Sequence, residues 1–388
     1  MLCGALILTV AMGVRATAGL FMPPMSMAYG WPRETFAFAF ALQNLIWGAA
    51  NPFFGAVADR YGAGRALTAG ALLYCAGLAL MAYSATPAAL YGSAGLMIGL
   101  GLAGTTFGVV LGVVARVVAP EKRSMALGLV AAGGSLGQFI MLPVGQGLID
   151  AFQWQGALIA LALVCGCMVL LAAALVGKGE AAASGQTIGA ALREAGLHRS
   201  FHFLFWSYFV CGFHTAFITL HLPAYVQDHG LAVGVGVKAI ALIGLFNILG
   251  TYTAGWLGTH WSKKGLLAGI YAGRSVAIAG LLIAPVSPIS IYVFAAAMGF
   301  LWLGTVPLTN ALVAQIYGTR YVSMLAGVVF FGHQIGSFLG AWLGGAIYDR
   351  TGSYDLVWQL SLALGLIAAA LAWPVDERPL RRAQMEAA

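Results

Sequence analysis

Apolar residues run through this chain in long blocks, broken at short intervals by charges, prolines or glycine-rich turns. A helix needs about 20 apolar residues to cross the hydrocarbon of a bilayer, so each block predicts a spanning helix. Twelve are predicted, over 2–28, 34–57, 65–85, 88–117, 124–149, 155–176, 201–227, 234–258, 265–285, 288–315, 322–347 and 354–375. The longest polar interval, from Gly177 to Ser200, divides them into two sets of six. The predicted architecture is an all-α membrane protein of twelve transmembrane helices in two pseudo-symmetric six-helix bundles. The N-terminal bundle covers 1–176 and the C-terminal bundle 201–388. A cytoplasmic connector with a short surface helix occupies 177–200. The N-terminus enters an apolar run with no basic leader and no evident cleavage site. It is read as a retained first span, with a few residues missing upstream.

Composition sharpens this reading. Only 8% of the 388 residues are charged against 61% hydrophobic, and the mean hydropathy is +0.90. Soluble domains carry about 25% charged residues. Disordered, collagen-like, disulfide-framework and nucleic-acid-binding classes are excluded. The net charge of +7 does not mark a nucleic-acid partner, because the basic residues sit in short loops. The five cysteines (Cys3, Cys75, Cys165, Cys167, Cys211) lie in apolar stretches with no C-x-x-C pair, and read as small buried hydrophobes. No metal and no cofactor is predicted.

Orientation follows from the positive-inside rule. With both termini cytoplasmic, only Arg33, Lys238 and Arg350 of the 19 lysines and arginines fall outside, and only Arg15 and Arg274 within spans. The expected location is a bacterial inner (plasma) membrane, multi-pass.

The halves repeat. Ser124, Met125, Gly128, Gly133, Gly137, Gly145 and Asp150 recur as Ser323, Met324, Gly327, Gly332, Gly336, Gly344 and Asp349. Ala41, Leu42, Leu45 and Gly55 recur as Ala241, Leu242, Leu245 and Gly255, and Gly13 and Pro24 as Gly212 and Pro223. Two bundles related by an axis along the membrane normal, with a site between them, is a transporter plan.

The turn after the second span reads Gly55-Ala-Val-Ala-Asp59-Arg60-Tyr-Gly62-Ala-Gly-Arg65. It resembles the G-x-x-x-D-R-x-G-x-R signature of the major facilitator superfamily, and with twelve spans and a central loop the resemblance covers essentially the whole chain. Gly55, Asp59, Arg60, Gly62 and Arg65 are assigned to the conformational switch, Asp59 and the flanking arginines forming a charge cluster between the bundles. In the echo at Gly255 to Lys264, Thr259 and His260 replace the Asp and Arg.

The chemistry lies in polar groups at membrane depth. All 12 acidic residues lie at or beyond span ends. Arg15 sits midway along the first span, where an arginine costs roughly 2.5–3.5 kcal/mol and needs a partner. That partner is an anionic ligand, water or, in a purely structural role, helix carbonyls. In the repeat register Arg15 corresponds to His214, so the two are expected to face each other across the pseudo-two-fold axis. His221 lies two turns further along the same helix face, and His333, Gln334, Gln43, Asn44, Gln138, Asn247 and Asn310 are further binding candidates at plausible depth. Arg274 either contacts substrate, snorkels or holds its bundle together. His214 or His333 is the expected proton acceptor, since histidine titrates near neutrality.

Gly99-Leu-Gly101-Leu-Ala-Gly104 satisfies G-x-G-x-x-G but lies inside a span with no preceding strand, so it is not a dinucleotide site. No Walker loop and no H-E-x-x-H pair occurs. The chain is not expected to be an enzyme.

Within the superfamily, three stretches are similar to bacterial monocarboxylate porters and oxalate/formate exchangers: Gly13-Val-Arg15 with Gly19 to Pro24, Ala132 to Gln138, and Phe331 to Gly336. That branch often carries a basic residue on helix 1, which Arg15 fits. It also carries an arginine on helix 8, where this chain has Asn247 and Thr251, and in oxalate exchangers a lysine on helix 11, where His333 is nearest. The resemblance implies a proton-coupled secondary transporter of a small organic anion, monocarboxylate-like, acting by alternating access as a monomer. Its partners are a small anionic solute and the lipid bilayer, with no nucleic acid. Two other readings share these features: an exporter of neutral or hydrophobic solutes, and a non-transporting membrane sensor.

Overall fold

A computed structural model describes residues 1–31, 33–175 and 187–380 of the chain. The described residues fold into helices and turns, without strands. Residues 177–186 of the expected connector lie outside them, as do Lys178, Glu180, Arg381 and Arg382. The helix Ile188–Leu197, capped by the Thr187 hydroxyl, forms the described part of the connector.

The first half comprises α1 (Leu2–Tyr29), α2 (Arg33–Tyr61), α3 (Ala63–Met81), α4 (Pro87–Val117), α5 (120–152) and α6 (154–173). One residue separates α5 from α6. Gln153 sits at φ 58° and ψ 173°, a positive-φ conformation that reverses the chain without a loop. The second half comprises α7 (Arg199–Asp228), α8 (Val233–His260), α9 (Lys263–Ile283), α10 (Pro288–Tyr317), α11 (Val322–Thr351) and α12 (Asp355–Ala372). Each predicted span corresponds to one of these twelve helices. Large apolar side chains such as Leu163, Leu170, Val276 and Ile289 project outward and are exposed. A lipid-facing surface requires this and a water-facing one would not tolerate it as a continuous band.

Three spans are irregular where polar groups gather. α1 tightens into a 3₁₀ turn over Thr17–Phe21, just after Arg15. α4 breaks at Thr106, whose backbone is extended. α10 breaks between Phe300 and Thr305. The repeat register places Thr106 opposite Thr305, so the two breaks are counterparts.

The halves meet through α2 against α11 and α5 against α8. Small residues let these backbones touch, because a Cβ would not fit. One added to Gly55 would lie 2.5 Å from the Ser323 carbonyl carbon, one on Gly128 2.6 Å from Gly255 Cα, and one on Gly48 2.6 Å from Gln334 Cβ. Such cross-half approaches are confined to the end with the basic turns and to mid-span. Glycines toward the other end, including Gly137, Gly145, Gly336 and Gly344, meet only their own half. The bundles are therefore closed at the basic end.

That closure has an ionic lock. Asp59, 3% exposed, accepts Arg116 Nη1 from α4. It also accepts the backbone N–H groups of Ser323 (3.3 Å) and Met324 (2.9 Å), which lie at the N-terminus of α11. Helix N-termini present free N–H donors and partial positive charge, so they suit a carboxylate. This corrects the expected cluster. Arg60 and Arg65 are both exposed, Arg60 lying over its neighbour Tyr61. The cation that pairs with Asp59 comes from α4. Gly62, at φ 95°, makes the tight turn that carries α2 into α3.

Two substitutions should open this end. Asp59→Asn removes the carboxylate charge that the Ser323 and Met324 N–H groups of α11 meet only in the closed state, an effect of about 1.5–3 kcal/mol against that state. Gly128→Leu forces α5 from α8 sterically. Spin labels at the exposed positions Tyr61 and Trp261, read by electron–electron resonance, should shift to longer separations in both variants. Distance distributions identical to wild type would contradict the lock.

Candidate functional site

The candidate site is built where α1, α2 and α11 come together at mid-span. Trp47 of α2 anchors it. Its indole Nε1 donates to Thr106 Oγ1 at the α4 break (2.8 Å), and the Thr106 hydroxyl donates in turn to the Leu102 carbonyl (2.6 Å). The break therefore fixes the indole. The Arg15 guanidinium lies 4.9 Å from the Trp47 ring centroid, a cation–π contact of about 0.5–2 kcal/mol. Arg15 Nη2 donates to Asn44 Oδ1 (2.7 Å), one turn from Trp47. Nε is buried with no partner. Both Arg15 and Asn44 remain half-exposed.

Thus Arg15 is neither saturated by main-chain oxygens nor turned out to lipid. Its partner among the described residues is a neutral amide, which fixes its direction and leaves its charge uncancelled. The ion pairs Asp59–Arg116 and Asp376–Arg378 are both remote from it.

The other half contributes from α11. Gln334 Nε2 donates to the Asn44 carbonyl (3.3 Å), crossing from one bundle to the other. His333 lies stacked against Phe330 (centroids 5.5 Å, 9° between planes) and 4.9 Å from the Tyr208 ring. Phe330 packs on Trp47 at 4.9 Å. An aromatic path, Trp47–Phe330–His333, therefore joins the Arg15 side of the site to the His333 side. Trp47, Phe330 and Tyr208 were not singled out from sequence, since aromatics in apolar helices read as core. The signal that could have found Trp47 was the threonine pair, Thr106 and Thr305, in matching register.

The remaining candidates fall elsewhere. His214 does not face Arg15. It is fully buried inside the second half, its Nε2 2.8 Å from the Ser361 carbonyl of α12. The repeat matches helix position but not the neighbour that each side chain meets. His221 ties α7 to α11 and α12, through the Ala341 carbonyl (2.9 Å) and the Tyr354 hydroxyl (3.3 Å). Arg274 is fully buried and does not snorkel. Its Nε donates to the Leu301 carbonyl (3.0 Å) and Nη2 to that of Trp302, the oxygens freed by the α10 break. Asn247 is also committed: Nδ2 donates to Ser135 Oγ of α5 (2.9 Å), and Oδ1 accepts Leu303 N–H and the Thr251 hydroxyl (both 3.0 Å). It latches the first half to the α10 break. Asn310 donates to Val306 O one turn back, and Gln43 to Ala94 O inside the first half. Gln138 is half-buried on α5. The structure thus brings together Arg15, Asn44, His333 and Gln334, and sets His214, His221, Arg274 and Asn247 to holding the bundles.

Comparison with known proteins places this geometry in a family. Residues 4–341 match the Major Facilitator Superfamily. An uncharacterised MFS-type transporter of Bacillus subtilis, YcxA, is 24% identical over 349 residues, covering 87% of this chain and 85% of that protein. Monocarboxylate transporter 12-B of Danio rerio is 27% identical over 344 residues, covering 79% and 71%. Among solved structures, the transporter FucP in its outward conformation superposes with a TM-score of 0.75 at 14% identity, covering 94% of this chain and 97% of that one. The human organic anion transporter MFSD10 gives 0.72 at 14%, covering 95% and 98%. The chain, a multi-pass membrane protein of two six-helix halves, belongs to the Major Facilitator Superfamily.

Proposed function

We propose that this transporter moves a small organic anion, monocarboxylate-like, with a proton, by alternating access. The observation that carries the reading is Arg15: a mid-span guanidinium with an unpartnered Nε, backed by a neutral amide and an aromatic face. A carboxylate completes it with charge-assisted hydrogen bonds, each about twice as strong as a neutral one. The relatives named monocarboxylate transporters support the same solute class.

Arg15 and Asn44 belong to one half, His333 and Gln334 to the other. A solute held between them contacts both bundles, so its binding energy bears on their relative rocking. His333 is the histidine at this junction, and takes over the proton role that His214, sealed in its bundle, does not serve. Proton entry beside an arriving carboxylate keeps the transported charge balanced. The bonds from the α11 N-terminus to Asp59 hold the basic end shut in this state, leaving the solute to enter from the opposite side. With the basic turns facing the cytoplasm of a bacterial inner membrane, that side is external, and the protein acts as a monomer.

Purified protein in proteoliposomes, given labelled pyruvate, lactate or acetate, should accumulate at least one of them with alkalinisation of the outer medium. Arg15→Gln should lower that uptake tenfold or more, corresponding to loss of about 1.5–3 kcal/mol of charged hydrogen bonding. Full uptake by Arg15→Gln would overturn the anion site. His333→Gln should transport by exchange yet lose acceleration by an imposed pH gradient. A variant still driven by the gradient would remove His333 from the proton route.

A further inference from the structure

Cys211 of α7 is fully buried. Arg274 Nη2 donates to its Sγ at 3.4 Å, and Thr305 Oγ1 lies 3.3 Å away at the end of the α10 break. The titratable and charged groups that face the sulfur are Tyr208 from α7 itself, Tyr271 and Arg274 from α9, and His333 from α11. No carboxylate is among them.

Arg274 poses a charge problem. It is fully buried, lies in the hydrocarbon zone, and among the described residues has no acidic partner. The Leu301 and Trp302 carbonyls satisfy two of its donors without cancelling its charge, and Nη1 is buried with no partner. An uncompensated buried cation is expensive. Of the groups in contact with it, the thiol is the natural anion, since cysteine ionises about 1.5 pH units before tyrosine. A guanidinium beside a thiol favours the thiolate.

We infer that Cys211 is a proton-binding site of this transporter: as thiolate it is the counter-charge of Arg274, and it takes up the coupled proton from the space between the halves by way of His333. The inference rests on reading the chain as proton-coupled. On loading, the proton leaves water, passes the His333 ring and forms the S–H bond. On release that bond breaks and the thiolate returns, no other bond changing. The charge of the pair moves between neutral and positive. Arg274 grips the α10 break, so the change is felt where α10 and, through Asn247, α5 of the other half are held. A transporter whose acidic residues all lie toward span ends thereby acquires a mid-span group that can alternate between charged and neutral.

The S–H stretching vibration tests this without any solute. Infrared spectra of the purified wild type minus Cys211→Ala, with Cys211→Ser as a second reference, isolate this one thiol from the other four. No S–H band from Cys211 is expected at neutral pH, and a band should appear on acidification with the shape of a single-proton titration. Arg274→Gln should restore the band at neutral pH. If Arg274→Gln does not fold, the wild-type titration decides alone. A full-strength band at neutral and alkaline pH would overturn the proposal, as would a band that follows removal of chloride rather than pH, which would assign the counter-charge to a bound inorganic anion. Proton-driven pyruvate uptake with a pH-silent thiol would sink this inference and spare the transport reading. A titrating thiol without carboxylate uptake would do the reverse.

Discussion

Hydrocarbon does not hold an isolated charge, and this protein keeps two arginines at that depth without a carboxylate beside either among the described residues. The rest of the structure follows from how each is accommodated. Arg274 is enclosed on all sides, its donors turned to carbonyls that a helix break sets free and to one sulfur. Arg15 stands half-exposed at the junction of the bundles, with one neutral hydrogen-bond partner and an indole face. The first arrangement is enclosed within one bundle, with Nη1 left without a partner. The second lacks a counter-charge, and a transporter has use for such a group where its solute passes.

The same logic explains why irregular backbone and polar side chains coincide. A broken span exposes carbonyls and N–H groups that lipid cannot satisfy. At the α4 break, the Thr106 hydroxyl serves its own helix and positions Trp47. At the α10 break, Arg274 and Asn247 serve the freed groups. Each break thereby orients a residue near the junction of the halves, and the Asn247–Ser135 bond links the second break to the first half. The closed basic end depends on a different compensation: Asp59 is buried against Arg116 and two helix N-terminal amides, a set that exists only while α11 lies against α2.

Much of this could be read from the sequence because it is local or periodic. Span count follows from runs of apolar residues, pseudo-symmetry from the register of repeated glycines, and the family from the Gly55–Arg65 turn. What could not be read was partner choice across distance. Arg116 lies far along the chain from Asp59, while the exposed Arg60 is adjacent to it in sequence. His214 holds the repeat position of Arg15, yet its ring meets the Ser361 carbonyl, because register equates depth along a helix and not the neighbour it faces. Asn247 reads as available for solute by depth alone, yet Ser135 and Leu303 occupy it. Arg15 was legible for a physical reason: a lone cation at midplane is costly whatever surrounds it.

The account stands most directly on equilibrium binding of a charged solute against its uncharged twin. Calorimetric titration of the purified protein with pyruvate and with its neutral amide should show the carboxylate binding at least tenfold more tightly, and Arg15→Gln should erase that preference. Equal affinity for the two in wild type, or a preference untouched by Arg15→Gln, would contradict the claim that this guanidinium awaits an anion.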